Sequence, residues 1–123
     1  MPLESVIMEV SILNTIKKML DVDPSYTAFD NDILVHINSA LMILTQMGVG
    51  SQSDFSITGA TEEWSDFLED KTNFDAVKTY IYLKVKLVFD PPTSSSVLQA
   101  YEKVISELEW RLNVNGDKEE EHG

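Results

Sequence analysis

The residues able to do chemistry are few in kind. The chain carries 21 acidic side chains and two histidines, and it has no cysteine. Without cysteine there are no disulfides, thiolate metal sites or cysteine nucleophiles, which suits a reducing compartment. His36 and His122 stand far apart. His36 falls on the polar side of a helical pattern and reads as a surface histidine, not a base or ligand. The densest carboxylates, Glu62, Glu63, Asp66, Glu69 and Asp70, lie in "TEEWSDFLED". Paired carboxylates do acid–base work only in a shared, buried site. On one short helix above Trp64 and Phe67 they read as a solvated face over an apolar underside. The sharper reading is a protein-binding edge, because aromatics beside charges often anchor interfaces. "DVDPSYTAFDND" lacks the spacing and glycine of a calcium loop, and Ser94–Ser96 have no histidine partner in reach. No HExxH, GxSxG or glycine-rich phosphate loop is present. The expectation is a protein without catalytic residues, metal or cofactor.

The segments that position these residues read as helices. Leu3, Val6, Ile7, Val10, Leu13, Ile16 and Leu20 recur at helical spacing, with Lys17 and Lys18 in the last turn, where cations favour the helix dipole. Asp21 to Pro24 ends that pattern. Ile33, Ile37, Ala40, Leu41 and Leu44 share the face of a second helix, with Asp30 or Asn31 as N-cap and Gly48 and Gly50 closing it. Residues 48–60, "GVGSQSDFSITGA", read as an irregular loop, in which the alternation of Phe55 and Ile57 would suit a short extended piece or β-hairpin. Thr61 is the expected cap of a short third helix.

"TNFDAVKTYIYLKVKLVFD" is double-natured. Leu83, Val85 and Leu87 alternate with lysines as in a strand, whereas Phe74, Val77, Ile81, Val85 and Val88 fit a helix. Its length without Gly or Pro favours a helix, capped by Thr72 with Asp75. Apolar around much of its circumference, Phe74–Phe89 is expected to be central. Pro91 and Pro92 then forbid helix, and a serine among Ser94–Ser96 starts the last one. Val97, Tyr101, Val104, Leu108 and Leu112 repeat along that helix, while Trp110 falls off the stripe and suits either a second core face or an exposed contact. Asn115 and Gly116 are expected to end it. The predicted fold is all-α, a bundle of four to five helices, with a single domain over 1–114 and a disordered acidic tail over 115–123.

A chain of 123 residues with 43% apolar content supports one domain, and no apolar run reaches the ~20 residues of a membrane span. The start, "MPLESVIMEV", has no basic flank or cleavage site of a secretory signal and reads as the mature N-terminus of a soluble protein. The net charge of −12 opposes wrapping of a nucleic-acid backbone, so no high-affinity DNA contact is expected.

The C-terminal half resembles a known family. "W-x-D-F-L", "A-V-K-T-Y-I-Y-L-K-V-K-L-V-F-D-P-P-T-S-S" and "A-Y-E-K-V-I-S-E-L-E-W-R-L" look like the small head–tail connector, adaptor or head-completion proteins of long-tailed bacteriophages. The resemblance is best over Thr61 to Asn113, and its markers are Phe89-Asp90-Pro91-Pro92 and Glu109-Trp110-Arg111. It implies a helical structural protein of the virion, made in the bacterial cytoplasm. Such a protein assembles with itself as a ring, typically twelve-fold, at the portal vertex. Its partners would be the portal protein and the next head-completion or tail component; DNA would pass through the ring, and no enzyme activity or cofactor is implied. Phe55, Ile57, Trp64, Phe67, Trp110 and Arg111 are the candidate partner contacts. The competing class is a free-standing acidic interaction module, a DNA mimic or an inhibitor of a basic host protein.

Overall fold

The computed structural model describes residues 8–50 and 54–122, with side chains through Asn113. Five helices are delimited among the described residues: α1 (Ile12–Met19), α2 (Asp30–Gln46), α3 (Trp64–Phe67), α4 (Phe74–Phe89) and α5 (Ser95–His122). No sheet occurs among the described residues; a lone antiparallel bridge joins Ser11 to Glu63. The double-natured segment is therefore helix, and it is the hub. The α4 helix packs along α2, carries α5 and touches α1. Val77, Tyr80, Ile81 and Val85 are sealed from solvent, because a helix contacted on several sides has little face left for water.

The first helix differs from its sequence pattern. Helical spacing over Leu3–Leu20 suggests one continuous helix, but Met8 is helical, the backbone leaves helix over Glu9–Ser11, and α1 begins anew at Ile12. Ser11 takes extended backbone and its hydroxyl accepts the Asn14 N–H at 3.1 Å, an N-cap. On either side of it, the Ile12 N–H bonds to the Glu62 carbonyl at 3.0 Å and the Val10 carbonyl accepts from the Trp64 N–H at 3.3 Å. This cross-link to α3 pulls the chain out of helix, so Val10, on the apolar stripe by spacing, is exposed. Leu3, Val6 and Ile7 lie outside the described residues.

Two helix ends use the same closing motif. At α2, Gly48 (φ 87°) bonds to the Thr45 carbonyl and Val49 to the Leu44 carbonyl, the 5→2 and 6→1 pair of a Schellman turn. At α1 the pair recurs, from Asp21 to Lys18 and from Val22 to Lys17, but the left-handed position is held by Asp21 at φ 63°. Three expected caps are replaced. Phe29 precedes α2 in place of a capping Asp30 or Asn31, because Asp30 is committed elsewhere. The start of α3 is capped at Glu63, whose N–H bonds to the Asp66 carboxylate at 2.8 Å, and not at Thr61. Asn73 precedes α4, and the Thr72 N–H turns to Asp70 at 2.9 Å, so Thr72 and Asp75 form no capping box.

The loop after α2 is part of the core. Val49 and Ile57 are buried. Asn38 grips Ile57 at both backbone atoms, donating to its carbonyl at 2.9 Å and accepting its N–H at 2.8 Å. These two bonds do the work of a strand pairing, so residues 54–60 hold their place with no hairpin. A Cβ at Gly50 would lie 2.4 Å from the Phe67 ring, so that position admits only glycine, and its φ of 96° asks for the same.

The last helix also departs from expectation. It does not end at Asn115–Gly116 but carries helical backbone to His122, roughly 42 Å in all. A lone interior glycine costs about 1 kcal/mol and does not terminate a helix when ordinary helix formers follow, here Lys118 to Glu121.

Candidate interaction surfaces

The chemistry-bearing residues are dispersed. Among the described residues no three His, Asp or Glu side chains come together as a metal site. The "TEEWSDFLED" carboxylates are held by local partners. Glu62 accepts from the Thr58 N–H and hydroxyl at 2.9 and 2.8 Å. Burial opposes its charge, but those bonds outweigh it, and its carboxyl sits below the usual range. Asp70 is likewise lowered by hydrogen bonding to Thr72, and Asp23 by Ser25. These are turn-forming carboxylates on a solvated surface. His36 is half-buried beside Lys84 and Val88 in the lining of a groove between α2 and α4.

The six candidate contact residues separate into two groups. Ile57, Trp64 and Phe67 are core. The Trp64 indole donates to the Thr15 hydroxyl at 3.0 Å and meets Phe74 edge-on at 5.4 Å. Phe55 is half-buried on Phe67, with centroids 5.1 Å apart. For Trp64 and Phe67 this is the apolar underside that the sequence suggests beneath the carboxylates, and not the protein-binding edge. Trp110 is 69% exposed and Arg111 is exposed beside it, which settles Trp110 as a surface residue.

The Phe89–Pro92 corner is built at the end of α4. Phe89 packs edge-on against Phe29 at 5.3 Å, and Phe29 against Tyr26 at 5.5 Å. Asp90 does not cap α5. Its carboxylate turns back to Lys86 at 2.9 Å, and this bond holds the Lys86 ammonium above its usual range. The Ser94 hydroxyl and carbonyl start α5, accepting from Val97 at 3.4 Å and Leu98 at 3.0 Å. About two and a half turns deeper in α4, the Tyr80 hydroxyl donates to Glu109 at 2.8 Å and ties α5 to the hub. Burial first, then that bond and the negative charge, push the Tyr80 hydroxyl well above its ordinary range.

Sequence reasoning misses Lys17. Its ammonium is fully buried, donating to the Pro24 and Tyr26 carbonyls at 2.9 and 2.7 Å and pairing with Asp30 at 2.7 Å. The signal is present: Lys17 lies four residues after Leu13 and three before Leu20, on the apolar stripe of α1.

Besides Val10 and the Tyr26–Phe29 pair at the corner, exposed large apolar side chains fall in two regions. Val35, Met42 and Val88 flank the α2–α4 groove, and Val97, Val104 and Trp110 lie along α5. No described helix is long and apolar enough to cross a membrane. The molecule is thus an all-helical protein whose distinctive chemistry lies in its surfaces. Residues 12–119 match the phage connector protein family, and the chain belongs to it. It is a bacteriophage structural protein with a head–tail connector role, which places it in the virion in contact with head and tail components. No curated protein and no solved structure matches the chain.

Proposed function

We propose that the protein assembles as a ring, twelve-fold as in the connectors it resembles, beneath the portal, and offers a platform to the next head-completion or tail component. It acts without catalysis, metal or cofactor. The observation that carries this reading is family membership across nearly the whole chain, from Ile12 to Glu119. The unpartnered apolar surface supports it, since Trp110 at 69% exposure is a large cost to leave in water unless something covers it. Trp110 and Arg111 are the partner contacts this reading keeps, with Phe55 at their margin of accessibility. The net charge of −12 per protomer suits a DNA exit path, because carboxylates lining it would repel phosphates and let the duplex slide.

The test is the native mass of the purified protein alone and mixed with the portal protein of the same phage, followed by images of the complex. A closed ring on the portal is expected. A protein that stays monomeric with portal and in the particle would overturn the proposal.

A further inference from the structure

We propose that the contact between neighbouring protomers places the free edge of α5 from one copy into the α2–α4 groove of the next, with Glu107 facing Lys84. This rests on the ring reading and deepens it.

A ring needs two different faces on each protomer, because a patch that meets its own copy stops at a dimer. The described residues offer two such faces. The first is the edge of α5. Tyr101, Ile105, Leu108 and Leu112 turn toward the core, but the stripe is wider than the protomer covers. Val97, Ala100, Val104, Glu107 and Arg111 follow at steps of three and four and are exposed. That spacing is one helix edge, apolar at its start and charged toward Trp110.

The second face is the groove, about 290 Å3, with Ile43, Leu87 and Val88 as its apolar lining and His36, Ser39 and Lys84 as its polar one. Val35 and Met42, both more than half exposed, extend the apolar surface along α2. A helix with valines at one end and a carboxylate further along fits this lining. The occupant follows from charge. The chain holds nine Lys and Arg against 21 acidic residues, so two copies repel over most of their surfaces. Lys84 and His36 make this groove one of the few places where a carboxylate of a second copy is welcome, and Glu107 is the carboxylate within the free edge.

Cysteine cross-linking tests the geometry without background, since the chain has no cysteine. Val88 and Val104 are surface positions, so Val88→Cys and Val104→Cys leave the core intact. With a short bismaleimide, the double variant docked on portal is expected to give a ladder of linked chains beyond the dimer. Each single variant should give none beyond the dimer. A multimer by native mass that yields no ladder overturns this contact and leaves the ring standing. Absence of any multimer overturns the ring and this contact with it. In parallel, Lys84→Glu and Glu107→Lys should each weaken association roughly tenfold, and their combination should restore most of it. A combination weaker than either single change would show that the two residues do not face each other.

Discussion

The Lys17 ammonium lies 2.7 Å from the Asp30 carboxylate, and the same ammonium holds the Pro24 and Tyr26 carbonyls. One buried side chain thereby ties the end of α1 to the connecting turn and to the first residue of α2. Removing it would leave three acceptors without their donor. Lys17→Met is expected to cost about 3 kcal/mol, because breaking a buried pair strands the remaining charge, here softened by the partial exposure of Asp30. Asp30→Asn should cost less, since the amide oxygen still accepts. Urea denaturation of the three proteins checks both statements, and an unchanged Lys17→Met midpoint would remove the clamp.

Asp21 occupies a left-handed position that glycine would fill without strain. Asp21→Gly is expected to be stabilising by up to about 1 kcal/mol, and Asp21→Val to be destabilising by at least as much. The thermal midpoints of the pair should therefore move in opposite directions.

The hub is least tolerant. Val85 is fully buried, so Val85→Asp should prevent folding, by circular dichroism and by expression as soluble protein. At the corner the opposite holds. Pro91→Ala or Pro92→Ala should cost about 1 kcal/mol or less through added freedom of the unfolded chain. Asp90→Ala removes only an exposed tie to Lys86 and should cost a few tenths of a kcal/mol.

Stability should fall at both ends of the pH scale. The carboxyls of Glu62, Asp70 and Asp23 are lowered in the fold, so their contribution is complete above about pH 5 and is lost as pH falls through their folded values. The Tyr80 hydroxyl and the Lys86 ammonium are raised, so their contribution is complete below about pH 10 and is lost as pH climbs beyond it. Tyr80→Phe should flatten the alkaline limb and leave the acid limb unchanged. Urea midpoints across pH 3 to 11 would show it, and an alkaline limb undiminished in Tyr80→Phe would assign it to other groups.

Charge also governs association. With −12 per protomer, copies repel at low salt, and screening shortens that repulsion as the Debye length falls from ~10 Å at 0.1 M to ~3 Å at 1 M. The isolated protein is expected to be mostly monomeric at low salt and to associate more at high salt or with portal. It should not bind double-stranded DNA at physiological salt. Sedimentation across a salt series, with and without DNA, reads both outcomes; stable rings at low salt would sink the repulsion argument.

Much of this molecule could be read along the chain, for reasons that are local. The span of α4 follows from a long apolar run free of Gly and Pro, bounded by Asn73 and by Asp90-Pro91. Its central place follows from being apolar around much of its circumference. The end of α2 follows from Gly48, and the family from the corner and the Glu109-Trp110-Arg111 end of α5. Tertiary structure decided what depends on partners distant in sequence. The helical spacing before Ile12 is broken by a bridge to residues some fifty positions away. Trp64 is fixed inward by Thr15 and Phe74, Phe67 lies under Phe55, and Ile57 is held by Asn38. Lys17 is buried because a turn wraps carbonyls around it, while Trp110 stays in water because α4 covers only the opposite side of α5. A periodic pattern states which side of a helix is apolar; only the packed neighbours state how much of that side is covered.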